Sequence, residues 1–369
     1  MSKVPVSPGL FLPVGLSDMP GIIANMNTIP LHPDSPCDPV ALNDWHPVAV
    51  AASLAPGSMQ AAPLLDTQLV IWRDSAGELH AWEDRCPHRG MKLSMGVLEA
   101  DTLTCPYHGW RFGKEGRCNR IPALPDLKEG NLKGQVKVHA VKEAYGLVWA
   151  CLGTPARNVL PFPEYHDTHL RKVICGPYDV ASSAPRIVEN FLDMAHFAFV
   201  HEGILGDKAM TAIRDYTVET FDDAEYGQGV WAKQCHAWQP QSNKLSEGGS
   251  HVEYTYRVVR PFTAILTKEP AAQEGFREAI SLHLQPMTET TTRVWIILAM
   301  TNFESSDDEL RSFQDTIFLQ DKPIVENQRP LRLPLDPAAE MSVACDRMSL
   351  AYRKYLRESG LRYGVVPAA

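Results

Sequence analysis

Between positions 45 and 152, apolar residues come in short runs cut by Gly, Asp, Ser or Pro. Runs at 45–50, 68–73, 79–82, 136–141 and 147–152 each predict a strand, and the turn Asp74-Ser75-Ala76-Gly77 joins the second to the third. Strand-like runs return at 172–180, 251–259, 278–285 and 291–302. The last reads T-T-R-V-W-I-I-L-A-M-T-N and is rich in β-formers. Long strands of this kind predict one broad antiparallel sheet. Positions 189–201 instead predict a helix, with Pro185 near its start and Gly203 past its end. After Asp307-Asp308 the period becomes 3.6, and Leu310, Phe313, Ile317, Ile324 and Val325 trace one stripe. A last helix is predicted from Asp336-Pro337, with Pro at its first position, to about Ser359-Gly360. The pattern is α+β: small antiparallel sheets, then a larger sheet with helices. It divides the chain into an irregular Pro-rich arm at 1–40 and two domains at 41–155 and 156–369.

Two loops in the first domain break the strand pattern with chemistry. Cys86-Pro87-His88-Arg89-Gly90 and Cys105-Pro106-Tyr107-His108-Gly109-Trp110 give C-x-H, sixteen residues, then C-x-x-H. Two thiolates and two imidazoles in mixed pairs are the ligand set of a Rieske [2Fe–2S] centre, in which two His replace two Cys on one iron. A structural zinc site also uses Cys2His2, but zinc motifs more often pair Cys with Cys and His with His. The glycines after each pair let the backbone bring N–H groups close to cluster sulfurs.

The helical stretches carry a second set. Asn190, Asp193 and His196 step by three and share one face of a helix. Buried polar groups on one face need partners, so the stripe points to a polar or metal site. His201 lies about 140° further round than His196 on an ideal helix. The two imidazoles converge only where the helix loosens, ends or takes a wider turn. Asp321 sits on the apolar stripe after position 307, whereas Asp315 is about 200° round from Ile317. A carboxylate on an apolar stripe is expected to be paired or metal-bound, and Pro323 disturbs the turn that holds it. His196, His201 and Asp321 make the two-histidine, one-carboxylate set of non-haem Fe(II) oxygenases, which leaves coordination positions open. His166 and His169, spaced H-x-x-H, lack a nearby acidic or thiol ligand and read as solvated loop residues.

Composition narrows the partners. The 369 residues carry a formal net charge of −9, and no basic run interleaves with aromatics, so nucleic acid is not expected. Eight Cys are present; the six outside the cluster loops are spread with no disulfide framework, which fits a reducing compartment. Pro5, Pro8 and Pro13 interrupt any apolar leader, and no eighteen-residue apolar run exists, so a cytoplasmic protein that does not span the membrane is expected. A Gly-rich dinucleotide motif after a strand is not found, so NAD(P)H is expected to act only indirectly, through a separate reductase.

Together these motifs resemble the catalytic α-subunit of Rieske non-haem iron oxygenases, from about Trp45 to the C-terminal helix. The run N-x-x-D-x-x-H-x-x-x-x-H at 190–201 and the segment Gln320-Asp321-Lys322-Pro323-Ile324-Val325-Glu326 look most like the monooxygenase branch, with the methylxanthine N-demethylases and the vanillate and dicamba O-demethylases. The resemblance implies a Rieske β-sandwich domain followed by a helix-grip (START-like) catalytic domain in a head-to-tail homotrimer. It implies one [2Fe–2S] cluster on Cys86, His88, Cys105 and His108, and one Fe(II) on His196, His201 and Asp321. Asp193 would link the partner subunit's His108 to His196, and Asn190 would lie near the iron. Dioxygen is the implied co-substrate, and a flavin or iron–sulfur reductase, or a ferredoxin, the electron donor. An aromatic or heteroaromatic small molecule would be hydroxylated or lose an N- or O-methyl group as formaldehyde. Ring hydroxylation, including cis-dihydroxylation, would use the same sites. A Rieske electron carrier fused to a START-like pocket would not need an aimed Asp321. The pocket is expected between 190–201 and the long strands, with Ile204, Leu205, Phe303 and one face of 294–300 as its walls; register is not readable at this level.

Overall fold

The structure, a computed structural model, describes residues 38–368 except 128 and 225. The arm expected over 1–40 therefore lies outside the described residues save for its last three. There Asp38 caps the short helix Pro39–Leu42 by accepting from the Ala41 N–H at 2.9 Å.

The first sheet is antiparallel and six-stranded, in the order His46–Val50, Leu147–Cys151, Val138–Ala144, Leu79–Glu83, Thr67–Arg73 and Met59–Leu64. Five of these follow the predicted runs within a few residues. Met59–Leu64 is an edge strand holding Pro63 and small residues, so it carries little β signal. A four-stranded sheet, Val97–Glu99, Thr102–Thr104, Arg111–Phe112 and Cys118–Arg120, stands beside it and supports the second Cys/His loop.

The second large sheet has seven antiparallel strands. Arg171–Val180 pairs with Thr291–Met300, which continues through Glu278–Thr288, Thr263–Pro270, Ser250–Arg260, Gly227–Gln239 and Thr217–Asp223. It is buried on both faces. From Thr291–Met300, Ile296, Leu298 and Met300 join the main core, whereas Trp295, Ile297 and Ala299 pack with Trp149, Phe162 and Leu170. At roughly 1.5–3 kcal/mol for each large apolar side chain fully buried, this two-sided packing ties the seven-stranded sheet to the half that carries the Cys/His loops.

Three helices carry or brace the site. Ala184–Leu192 is capped by Ser183, whose Oγ accepts from Arg186 N–H. Asp307–Asn327 opens with a reciprocal capping box between Ser306 and Glu309. It runs through Pro323 without ending. Leu310, Phe318 and Val325 are buried, but Ile324, assigned to the stripe from sequence, is exposed. The last helix is Arg347–Ser359 and ends on Gly360 in the left-handed region, φ +80°. Its start corrects the expectation of Asp336-Pro337. There the Asp336 carboxylate accepts from the Ala338 N–H at 2.9 Å and its carbonyl from Ala339, a local turn that competes with helix. Among the described residues no helix is long and apolar enough to cross a membrane.

Candidate active site

The continuous helix expected over 189–201 is broken, and the break assembles the site. Ala184–Leu192 stops because Asp193 turns to extended backbone, φ −88° and ψ 137°, while its Oδ1 accepts from the Ala195 N–H at 2.8 Å. An Asp side chain that satisfies a backbone donor two residues on offers the chain an alternative to helix. A short helix, Phe197–Val200, restarts on His196 and ends on His201. The two imidazoles then face each other, ring centroids 5.1 Å apart.

Asp321 meets both of them. Its Oδ1 lies 3.3 Å from His196 Nε2 and 3.2 Å from His201 Nε2. The other ring nitrogens are held from behind. His196 Nδ1 donates to Asp193 Oδ2 at 3.1 Å, and His201 Nδ1 donates to Gln320 Oε1 at 2.8 Å. Both acceptors fix the proton on Nδ1 and leave each Nε2 lone pair pointing at the common centre. Asn190 Nδ2 reaches Asp321 Oδ1 at the longer distance of 3.5 Å. Thus the structure brings together Asn190, Asp193, His196, His201 and Asp321. Gln320 was quoted in the sequence motif but given no task there; its place beside Asp321 was the available signal. Asp315 turns the other way and accepts from Tyr178 Oη.

The electrostatics suit a cation. Burial opposes the charge on Asp321, but the imidazoles at its oxygen outweigh it and hold its pKa down at about 2. Burial likewise opposes a proton on His196, but Asp193 and Asp321 outweigh it and hold the ring up at about 9. Two carboxylates and two imidazoles in a largely buried space attract positive charge to the point where three donor atoms lie within 4.8 Å of one another. A divalent metal would take the place of the proton that the carboxylates draw to His196, and two imidazole nitrogens with one carboxylate oxygen are a donor set that fits a first-row divalent metal.

The other donor set lies on the two matched loops. Gly90 N–H donates to Cys86 O at 2.9 Å and Gly109 N–H to Cys105 O at 3.0 Å, with both glycines at positive φ. Cys86 and Cys105 are buried, His88 and His108 exposed. The His rings sit edge to face at 4.5 Å, and Trp110 stacks on His88 at 4.6 Å. Burial and the adjacent Cys105 push the Cys86 thiol up to about 11, although the His88 and Arg89 N–H groups point at its sulfur. Paired buried thiols of this kind suit a bound metal that takes their charge. Among the described residues the three-donor groups that close on one point are His196/His201/Asp321 and Asp74/Glu78/His80. The four Cys/His donors are spread more widely, as a two-iron cluster requires and one tetrahedral ion does not. His166 and His169 are exposed.

A cavity, partly open to solvent, adjoins the His196/His201/Asp321 group. Ile296, Leu298 and Met300 supply one wall, Leu266, Ile280 and Leu282 the next. Leu205 lines it as expected. Ile204 is not among its lining residues, and neither is Phe303, which lies past the end of its strand with 62 % of its surface exposed. The sequence reading also missed the Lys268–Glu278 pair in the wall, Nζ to Oε2 2.8 Å, because strand Thr263–Pro270 was not predicted.

Residues 44–134 match the Rieske [2Fe-2S] domain family, and residues 180–361 match the vanillate O-demethylase oxygenase C-terminal domain family. The chain is 33% identical to methylxanthine N1-demethylase NdmA of Pseudomonas putida over 321 residues, which cover 85% of this chain and 88% of that protein. It is 26% identical to methylxanthine N3-demethylase NdmB of the same species, covering 86% and 89%. The solved structure of Pseudomonas putida CBB5 NdmA with caffeine superposes with a TM-score of 0.71 at 31% identity, over 86% of this chain and 90% of that one.

Proposed function

The chain belongs to the Rieske non-haem iron oxygenases, and on that premise we propose that it is a terminal oxygenase component that oxidatively removes an N- or O-methyl group from, or hydroxylates, a small aromatic or heteroaromatic molecule. The observation that carries this reading is the meeting of His196 Nε2, His201 Nε2 and Asp321 Oδ1 beside a largely apolar cavity.

His196, His201 and Asp321 would hold a mononuclear Fe(II), and Cys86, Cys105, His88 and His108 a [2Fe–2S] cluster. When bound, the cluster supplies electrons one at a time and the iron supplies the open positions for dioxygen chemistry. Asp193 and Gln320 keep both Nδ1 atoms protonated and both rings aimed. Asn190 steadies the Asp321 carboxylate. The apolar walls, Leu298 and Ile280 among them, offer a flat ring an apolar surface to lie on. In a head-to-tail homotrimer, Asp193 would join the partner subunit's His108 to His196; its side chain keeps 32% of its surface exposed, which leaves room for such a contact. A separate flavin or iron–sulfur reductase, or a ferredoxin, delivers the electrons.

The test is turnover with a surrogate reductase on a panel of N-methyl, O-methyl and unsubstituted aromatic and heteroaromatic compounds. Formaldehyde from a methylated member supports demethylation. Hydroxylated product without formaldehyde moves the reading to ring hydroxylation. Neither product from any member, with both metals bound, overturns it.

A further inference from the structure

A line of oxidisable side chains runs from the cavity to a partly exposed thiol, and neither donor set uses it. Tyr254 and Tyr256 stand two apart on strand Ser250–Arg260 and so share one sheet face. Their rings stack, with centroids 5.7 Å apart and planes 21° from parallel. Tyr254 lines the cavity. Phe197 joins it to the donor histidines: its ring lies 6.1 Å from Tyr254, 5.0 Å from His196 and 6.1 Å from His201, centroid to centroid. Cys235, fully buried, is the cross-strand partner of Tyr254 on Gly227–Gln239. Such partners have Cβ atoms about 5 Å apart. Tyr216, also buried, is close enough to Cys235 and Cys345 for either thiolate to add to the burial that pushes its phenol up to about 12. Its hydroxyl donates to the Cys345 carbonyl at 2.6 Å. Cys345 is partly exposed, whereas the other free cysteines among the described residues are buried.

Packing alone favours Phe over Tyr at the centre of this line. The Tyr256 hydroxyl is buried and has no hydrogen-bond partner. That costs about 1–3 kcal/mol, which Phe in the same space would not incur. What the hydroxyl adds is redox chemistry: a phenol, like a thiol, gives up one electron and one proton more readily than a phenyl or aliphatic side chain. Burial pushes Tyr254 and Tyr256 well above the ordinary phenol value, so each phenol is neutral. Losing electron and proton together leaves no charge in an apolar core, where an unpaired charge is costly. Oxidising equivalents formed beside His196 and His201 with no substrate C–H in reach fall on those ligands unless another group is oxidised first.

We propose that Tyr254, Tyr256, Cys235, Tyr216 and Cys345 form a relay that carries a one-electron oxidising equivalent from the iron site to the surface, and so protects that site from peroxide. This rests on the oxygenase reading and adds a function to it. In the first step hydrogen peroxide becomes two waters by taking two electrons and two protons. Fe(II) gives one electron and becomes Fe(III). The Tyr254 O–H bond breaks and gives the other electron and one proton, leaving a neutral phenoxyl radical; solvent gives the second proton. Each later step hands one electron and one proton from the next member of the line back to the last. A small thiol in solution returns a hydrogen atom to Cys345, and two of the thiyl radicals so formed join as a disulfide.

The test uses protein loaded with Fe(II) and with its cluster oxidised, a state in which the cluster gives no EPR signal. Hydrogen peroxide is added without dioxygen or substrate, and samples are freeze-quenched over a time course for EPR. Wild type should show a phenoxyl radical. Tyr254→Phe, which keeps the ring and its packing, should lower the radical yield at least threefold and, over repeated additions, lose its capacity to rebind Fe(II) at least threefold sooner. With a small thiol present, Cys345→Ala should lengthen the radical lifetime at least threefold. The relay is overturned by no phenoxyl radical in wild type, by an equal yield or equal loss of iron binding in Tyr254→Phe, or by an unchanged lifetime in Cys345→Ala. It is also overturned by the same radical from protein carrying Zn(II) in place of Fe(II), because peroxide in solution would then oxidise the tyrosines directly. The wild-type and Zn(II) comparisons stand even where a variant does not fold. Because no turnover is involved, the relay can fail while formaldehyde release still supports the oxygenase.

Discussion

Gln320→Leu isolates one hydrogen bond that decides how His201 presents itself. The His201 ring is 1% exposed, so water cannot replace the Gln320 oxygen that its Nδ1–H reaches at 2.8 Å. Leu has helix propensity close to that of Gln, so the helix Asp307–Asn327 should be undisturbed. The buried Nδ1–H then loses its acceptor, a cost of about 1–3 kcal/mol. The ring can avoid it by moving the proton to Nε2, where Asp321 Oδ1 accepts, but that removes the lone pair a metal needs. Either route weakens metal binding. Loss of such an outer partner is expected to lower affinity about 10- to 100-fold, or about 1.4–2.7 kcal/mol, the same range as the orphaned donor. The assay is Fe(II) affinity by chelator competition on the purified protein, with the visible absorbance of the [2Fe–2S] cluster as internal control. Unchanged iron affinity would refute the argument that Gln320 sets the tautomer. Loss of cluster absorbance along with iron would refute its locality.

Asp321→Ala should abolish mononuclear iron binding and turnover while the cluster spectrum remains; a protein that keeps its function would be an electron carrier and not an oxygenase. Asp193→Asn should leave both metals bound, by elemental analysis, yet slow turnover strongly; an unchanged rate removes the bridging role. Glu340 lies between Arg186 and Arg353, with contacts of 2.5 and 2.6 Å. Burial raises its pKa, but the two guanidinium groups outweigh it and hold it below the ordinary carboxylate value. A lowered folded pKa means the stabilisation is complete above the unfolded value, about 4.5, and is lost as pH falls through the folded one. Denaturant melts should therefore show Glu340→Gln less stable than wild type at pH 7, with the difference shrinking below about pH 4.5; a constant difference from pH 7 to pH 3 would remove the ion-pair account.

The Cys/His loops and the stretches that carry His196, His201 and Asp321 were readable in the chain because ligand chemistry constrains residue type and spacing locally. C-x-H and C-x-x-H, His196 five residues before His201, and Asp321 on an apolar stripe are all short-range patterns. Strand Thr291–Met300 was legible as a strand for a similar reason. Which of its faces met the cavity was not, because both faces are buried and polarity does not alternate along it. The spacing left three options between His196 and His201, but the helix breaks earlier, at Asp193, and Phe197–Val200 between the two histidines is helical. That break rests on a side-chain bond from Ala195 N–H to Asp193, which propensity does not register.

By itself, then, the amino-acid order determined which candidate donors exist, that they fall into one group of four and one of three, and that the fold mixes antiparallel sheets with a few helices. Tertiary structure alone decided how they meet. Asp321 is 120 residues beyond His201, Gln320 reaches the back of that histidine across the same span, and Lys268 meets Glu278 only through the register of two adjacent strands. Such pairings depend on long-range packing, in which each contact is set by the shape of surfaces built from distant segments, and no local period carries that information.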